Sequence, residues 1–93
     1  MTNSLKFNQN VELFKLLGSP VRLKILVGLK ENGCNVKTMQ ENIGVSQSTI
    51  SQHLKVLKMA RIVQSIRKGN NICYKVIDPI AIKIINMIKA NAL

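Results

Sequence analysis

Acid is scarce in this chain. Only 4 Asp plus Glu stand against 14 Lys plus Arg in 93 residues, a formal net charge of +10. So few carboxylates offer little material for acid–base pairs or carboxylate-bound metals, and the positive excess points to phosphates or anionic lipid as partners. Trp is absent, with one Tyr and two Phe, so platforms for stacking unpaired bases are few, which argues against single-strand or loop-RNA binding. Two cysteines do not make a disulfide framework; a cytoplasmic, reducing location with both thiols free is the expectation. No signal peptide is read: residues 1–10 are polar, and the first apolar run is broken at Lys15 and Gly18. No run reaches the ~18 apolar residues of a membrane span, since residues 76–88 are interrupted by Asp78, Pro79, Lys83 and Asn86. There is no glycine-rich phosphate loop and no His, Asp, Glu or Cys cluster at catalytic spacing, so no enzyme is predicted and no cofactor is implied.

What is present is helical periodicity with strong punctuation. The chain makes one domain, 1–93, with 1–9 read as a flexible tail. Apolar residues are 46% of it, more than a small monomer hides easily, which favours a dimer. Val11, Leu13, Phe14 and Leu17 predict a first helix from about Asn10 to Leu17, ended by Gly18. Ser19-Pro20 opens a second: serine caps, and proline at the first helical position forfeits no hydrogen bond. Val21, Ile25, Leu26 and Leu29 form its buried stripe, Arg22, Lys24 and Lys30 lie off it, and Asn32-Gly33 stops it. Residues 34–37 read as a one-bridge strand containing β-branched Val36. Thr38, with Glu41 three residues on, predicts a capping box for a third helix.

Residues 34–58 are the most informative stretch. A short helix stops at Gly44, and a second begins after Ser46, running from Gln47 to about Met59. Its Ile50, Leu54 and Leu57 share one face, while Gln47, Ser48, Ser51, Gln52 and Lys55 occupy the other. Two helices joined by a tight glycine turn, the second with a polar outer face, read as a helix-turn-helix, and with this charge double-stranded DNA becomes the leading partner. Residues 62–67 and 72–77 are β-rich and joined by Lys68-Gly69-Asn70-Asn71, predicting a hairpin. An isolated hairpin is marginal in water, and residues 34–37 are the expected third strand. Asp78-Pro79 opens a last helix whose Ile80, Ala81, Ile84, Ile85, Met87 and Ile88 leave few polar positions, so a second copy of the chain is the expected cover.

The order helix, helix, short strand, helix, helix, hairpin, helix is mainly α with a small β-hairpin, a winged helix-turn-helix. With residues 17–26 (LGSPVRLKIL), 45–57 (VSQSTISQHLKVL) and the run from Gly69 to Tyr74 followed by Val76 and Asp78, it resembles the ArsR/SmtB family of dimeric winged-helix repressors over roughly residues 11–88. The resemblance implies a homodimer through the first and last helices, here Val11, Phe14, Ile80, Ile84, Ile85 and Ile88. It implies repression at an inverted-repeat operator and release by a ligand, often a metal ion. One family metal site has a Cys-x-Cys pair that falls here on Asn35 and Lys37, neither a soft-metal ligand. The other would use Asp78, then positions held here by Ile80 and Asn91, and a fourth beyond residue 93; Asp78 reads better as a helix cap. No metal site is expected, and the inducer is unknown.

As DNA contacts, Gln47, Ser48, Ser51 and Gln52 are the base-edge or phosphate candidates, and glutamine can pair bidentately with adenine. Thr49 and His53 read as packed or phosphate-bound; Lys37, Thr38 and Lys55 as phosphate contacts that set register; Arg67, Lys68, Asn70 and Asn71 as a wing tip reaching the flanking backbone or minor groove. Cys34 and Cys73 are the remaining chemical handles. The cysteine pair of oxidant-sensing relatives lies on the second and last helices, so that pattern does not transfer, and buried free thiols are the simpler reading; a cysteine-based redox or reactive-sulfur response is the alternative. From another class, a non-specific basic architectural or RNA-binding module stays open.

Overall fold

The computed structural model describes residues 4–92. In chain order these form α1 (Ser4–Leu17), α2 (Pro20–Asn32), α3 (Val36–Ile43), α4 (Gln47–Met59), β1 (Val63–Lys68), β2 (Asn71–Val76) and α5 (Pro79–Ala92). Local chemistry sets most of these limits. Ser19 Oγ accepts from Arg22 N–H at 3.3 Å and Pro20 takes the first position of α2. Ser46 Oγ accepts from Thr49 N–H at 3.2 Å at the head of α4. Asp78 Oδ1 accepts from Ala81 N–H at 2.9 Å at the head of α5. Gly44 ends α3 with φ +79°, its N–H donating to the Gln40 carbonyl at 2.9 Å, a conformation that costs glycine no Cβ clash.

Three expectations change. The first helix begins at Ser4, so residues 4–9 are helical rather than tail; no proline or glycine stands there to stop it, while residues 1–3 lie outside the described range. Thr38 does not cap α3. Asn35 does, its Oδ1 accepting from Thr38 N–H at 3.2 Å, so Val36 and Lys37 belong to the first helical turn and no capping box forms. No strand runs through 34–37: among the described residues the sheet has two strands, β1 and β2. The predicted contact survives as one bond, Tyr74 N–H to the Gly33 carbonyl at 2.9 Å. A Cβ on Gly33 would collide with the Tyr74 carbonyl oxygen, so the approach of this connection to β2 requires glycine.

β1 and β2 pair antiparallel in a register running from Val63↔Val76 to Lys68↔Asn71. Gly69, at φ +62°, supplies the positive angle at the first central position that a two-residue hairpin turn of the II′ kind needs. The core is shared by every helix and by the base of the hairpin: Leu13 and Leu17, Ile25, Leu26 and Leu29, Met39, Ile50, Leu54 and Leu57, Ile62, Val63 and Val76, Ala81 and Ile85. Each large aliphatic side chain so buried contributes about 1.5–3 kcal/mol. The α4–β1 junction is a Schellman turn: Arg61 N–H donates to the Lys58 carbonyl at 3.0 Å and Ile62 N–H to the Leu57 carbonyl at 2.9 Å. The left-handed residue of this turn is Arg61, at φ +60°, the one non-glycine residue with positive φ among those described.

Candidate nucleic-acid interface

α4 is held by its inner face. Ile50, Leu54 and Leu57 are buried, which leaves Gln47, Ser48, Ser51, Gln52 and Lys55 exposed together on the outer face. Their spacing follows from the 3.6-residue turn, so what the core demands of one side dictates what the other presents. The hydroxyls at the helix head form a cluster: Ser46 Oγ lies 3.1 Å from Ser48 Oγ and 2.9 Å from Thr49 Oγ1. Thr49 is half-buried, and its hydroxyl is engaged with this cap rather than turned outward.

His53 is half-buried, and its Nδ1 accepts from Arg22 Nε at 3.1 Å. The same guanidinium donates from Nη1 to the Leu16 carbonyl at 3.5 Å. Arg22 thus ties the end of α1 and the start of α2 to the middle of α4. With Nδ1 engaged by Arg22, Nε2 is the ring nitrogen of His53 left to meet an outside partner. Sequence reading placed Arg22 merely off the apolar stripe. A lone histidine in the next helix pair was its only signal, because the two residues stand 31 apart in the chain.

Lys37 and Thr38 are exposed on the first turn of α3, and Arg67, Lys68, Asn70 and Asn71 are exposed around the hairpin tip. Helix-turn-helix and hairpin therefore present separate polar, basic edges. From Asn42 to Ile77 the chain carries six Lys or Arg and no Asp or Glu. Elsewhere, Glu12 pairs with Lys15 at 3.3 Å and Glu31 with Lys89 at 3.4 Å, while Asp78 is committed to the α5 cap. Glu41 is exposed on α3, and among the described residues no ion pair joins an acid to a basic side chain of α4 or the hairpin.

The two cysteines are not free thiols. Cys34 and Cys73 form a disulfide with Cα atoms 4.2 Å apart across a sequence separation of 39. The expectation of two free thiols fails because Gly33 lets the α2–α3 connection close on β2 and sets the sulfurs side by side, a juxtaposition that no local pattern encodes. Among the described residues no three His, Cys, Asp or Glu side chains gather at a spacing that would hold a metal ion. Asn35 and Asp78, at positions matching family metal ligands, are both engaged as helix caps.

The expected dimer residues divide. Val11 and Phe14 are exposed on α1, where Phe7 extends the same stripe, and Ile80, Ile84 and Ile88 are half-buried on α5. Ile85 is 0% exposed within the single chain, so its side chain belongs to the protomer's own core. No helix among the described residues is long and apolar enough to cross a membrane.

Comparison with known proteins agrees with this geometry. The family model for the arsR family of bacterial regulatory proteins matches residues 19–65. An uncharacterised HTH-type transcriptional regulator of Methanocaldococcus jannaschii is 39% identical over 85 residues, covering 89% of this chain and 94% of that protein. The crystal structure of the transcriptional repressor BigR from Xylella fastidiosa superposes with a TM-score of 0.77 at 31% identity, covering 91% of this chain and 84% of that one. A homodimeric winged helix-turn-helix DNA-binding domain from Mycobacterium bovis, solved in solution, shares the fold with a TM-score of 0.75 at 21% identity, over 99% of this chain and 87% of that one.

Proposed function

This chain belongs to the ArsR family of bacterial regulatory proteins, and we propose that it is a DNA-binding transcriptional repressor acting as a homodimer on an inverted-repeat operator. The observation that carries this reading is the outer face of α4: four exposed amide or hydroxyl side chains and a lysine, on a segment without a single carboxylate. In the major groove, Gln47, Ser48, Ser51 and Gln52 meet base edges or phosphates. Lys37, Thr38 and Lys55 grip the backbone on either side, and Arg67, Lys68 and Asn70 reach outward from the wing. Thr49 and His53 act mainly by holding α4 in place.

The dimer follows from apolar surface. Phe7, Val11 and Phe14 are 56%, 36% and 59% exposed at helical spacing, and Met87 on α5 is 64% exposed; a second copy covers such faces at the least cost in water-exposed carbon. Two recognition helices related by a two-fold axis require half-sites about one helical turn apart. Release uses neither of the family's metal-ligand sets, because their positions here are helix caps, a lysine and an isoleucine.

The test is binding to the duplex upstream of the protein's own gene, against a scrambled duplex and a single strand, by fluorescence anisotropy over a salt series. With ~6–10 phosphate contacts, affinity should fall roughly 10³–10⁵-fold between 50 and 200 mM salt, and the upstream duplex should win throughout. Equal affinity for all three would make this a non-specific basic module. Adding Zn(II) or Cd(II) to the preformed complex should leave it intact; clean release would show a ligand set that these residues do not suggest.

A further inference from the structure

The Cys34–Cys73 bond links two elements of the proposed DNA-binding surface. Cys34 lies in the α2–α3 connection, directly before Asn35, the cap of α3. Cys73 lies in β2 opposite Ile66. The base of the wing is secured by Val63 and Val76 in the core, but between Gln64 and Lys75 the one buried residue is Cys73. Beyond it the hairpin projects with exposed Arg67, Lys68, Asn70 and Asn71. The outer wing is therefore positioned against the helix-turn-helix by this disulfide, by the neighbouring Tyr74–Gly33 backbone bond of 2.9 Å and by the half-buried Tyr74 side chain packed on the core.

The two halves of the bond are unequal. Cys34 is exposed and Cys73 is 5% exposed, so a small thiolate from solution reaches the Cys34 side first. A protein that works on DNA shares its compartment with low-molecular-weight thiols, where disulfides are usually transient and regulatory. Resting on the repressor reading, we propose that Cys34–Cys73 is a reversible thiol–disulfide switch that sets DNA affinity by fixing or releasing the wing relative to the helix-turn-helix.

The chemistry balances with a low-molecular-weight thiol as reductant. Its thiolate attacks Cys34 Sγ, the Cys34–Cys73 bond breaks, and Cys73 leaves as a thiolate that takes up a proton, giving a mixed disulfide on Cys34. A second thiol attacks the mixed disulfide, releasing the small-molecule disulfide and the Cys34 thiol. Two thiols are oxidised, one protein disulfide is reduced, and the reverse sequence restores it. In the oxidised state the wing is ordered before DNA arrives, so less freedom is lost on binding. In the reduced state the outer wing loosens, and affinity falls.

The experiment equilibrates the full chain with a glutathione–glutathione disulfide series and follows thiols by maleimide trapping. In parallel it measures hydrogen exchange of the 64–75 amides and anisotropy on the upstream duplex. Cys34→Ser serves as a permanently open form that changes an exposed position, and chemically reduced wild type is the second open form. Both open forms should exchange the wing amides faster and bind duplex roughly tenfold more weakly than the oxidised protein, within the usual range of such couplings. Cys34→Ser should ignore the redox series. Tight and equal duplex binding in both states leaves the repressor reading standing and overturns the switch, making the bond a permanent staple, and unchanged wing exchange overturns it likewise. If neither state prefers duplex to single strand, the repressor reading fails and the switch of DNA affinity fails with it.

Discussion

Replacing Arg61 by glycine should stabilise the protein. Arg61 is the left-handed residue of the Schellman turn that ends α4, at φ +60°, and both bonds of the motif are formed, Arg61 N–H to Lys58 at 3.0 Å and Ile62 N–H to Leu57 at 2.9 Å. The turn also drives Ile62, 1% exposed, against Leu57, 0% exposed, so the backbone cannot relax from this conformation without opening the core. A Cβ in this region costs roughly 1–2 kcal/mol. Glycine returns about 0.4–1 kcal/mol of that through the larger freedom of its unfolded chain. Arg61→Gly should therefore exceed Arg61→Ala by about 0.5–1 kcal/mol, or roughly 3–6 °C in Tm for a domain of this size. The comparison with alanine is the decisive one: both variants remove the same charge from a chain of net charge +10, and only glycine removes the Cβ. Arg61→Asn should fall between them, because asparagine visits this conformation more readily. The assay is thermal and urea unfolding at one fixed protein concentration, since dimerisation makes apparent stability concentration-dependent. If glycine and alanine prove equal, the strain argument is wrong and any gain belongs to charge.

Three further outcomes follow from specific contacts. Asp78→Ala should cost about 0.5–2 kcal/mol by leaving the Ala81 N–H, held at 2.9 Å, without its cap, whereas Asp78→Asn keeps an acceptor and should recover most of it in urea unfolding; an asparagine as damaging as alanine would assign the effect to charge. Gly33→Ala must push the α2–α3 connection away from the Tyr74 carbonyl, losing roughly 2–4 kcal/mol from overpacking and the broken backbone bond, and should slow formation of the Cys34–Cys73 bond in a thiol-trapping time course; a wild-type melting curve would refute it. On DNA, Gln52→Ala should lose about 1–3 kcal/mol with relaxed base preference at one position, while Lys68→Ala should weaken all duplexes alike and lower the salt slope by about 1; the reverse assignment would exchange base and backbone roles between α4 and the wing.

What the chain determined by itself is what depends on neighbours within a turn. Ser19, Ser46 and Asp78 cap helices because the hydroxyl or carboxylate needs only an N–H three residues on. The two faces of α4 follow from a period of 3.6, and the hairpin from β-rich runs around a glycine. Local chemistry was already ambiguous at 34–38, where Asn35 and Thr38 are both competent caps and Val36 favours a strand. The docking of Met39 into the core decides for a helix starting at Val36. Tertiary structure alone chose Ile85 over Ile84 for the core, brought Arg22 to His53, and put the left-handed position of the α4 turn on Arg61. It also paired Cys34 with Cys73 across 39 residues of chain, because that pairing depends on how closely a glycine lets one backbone approach another.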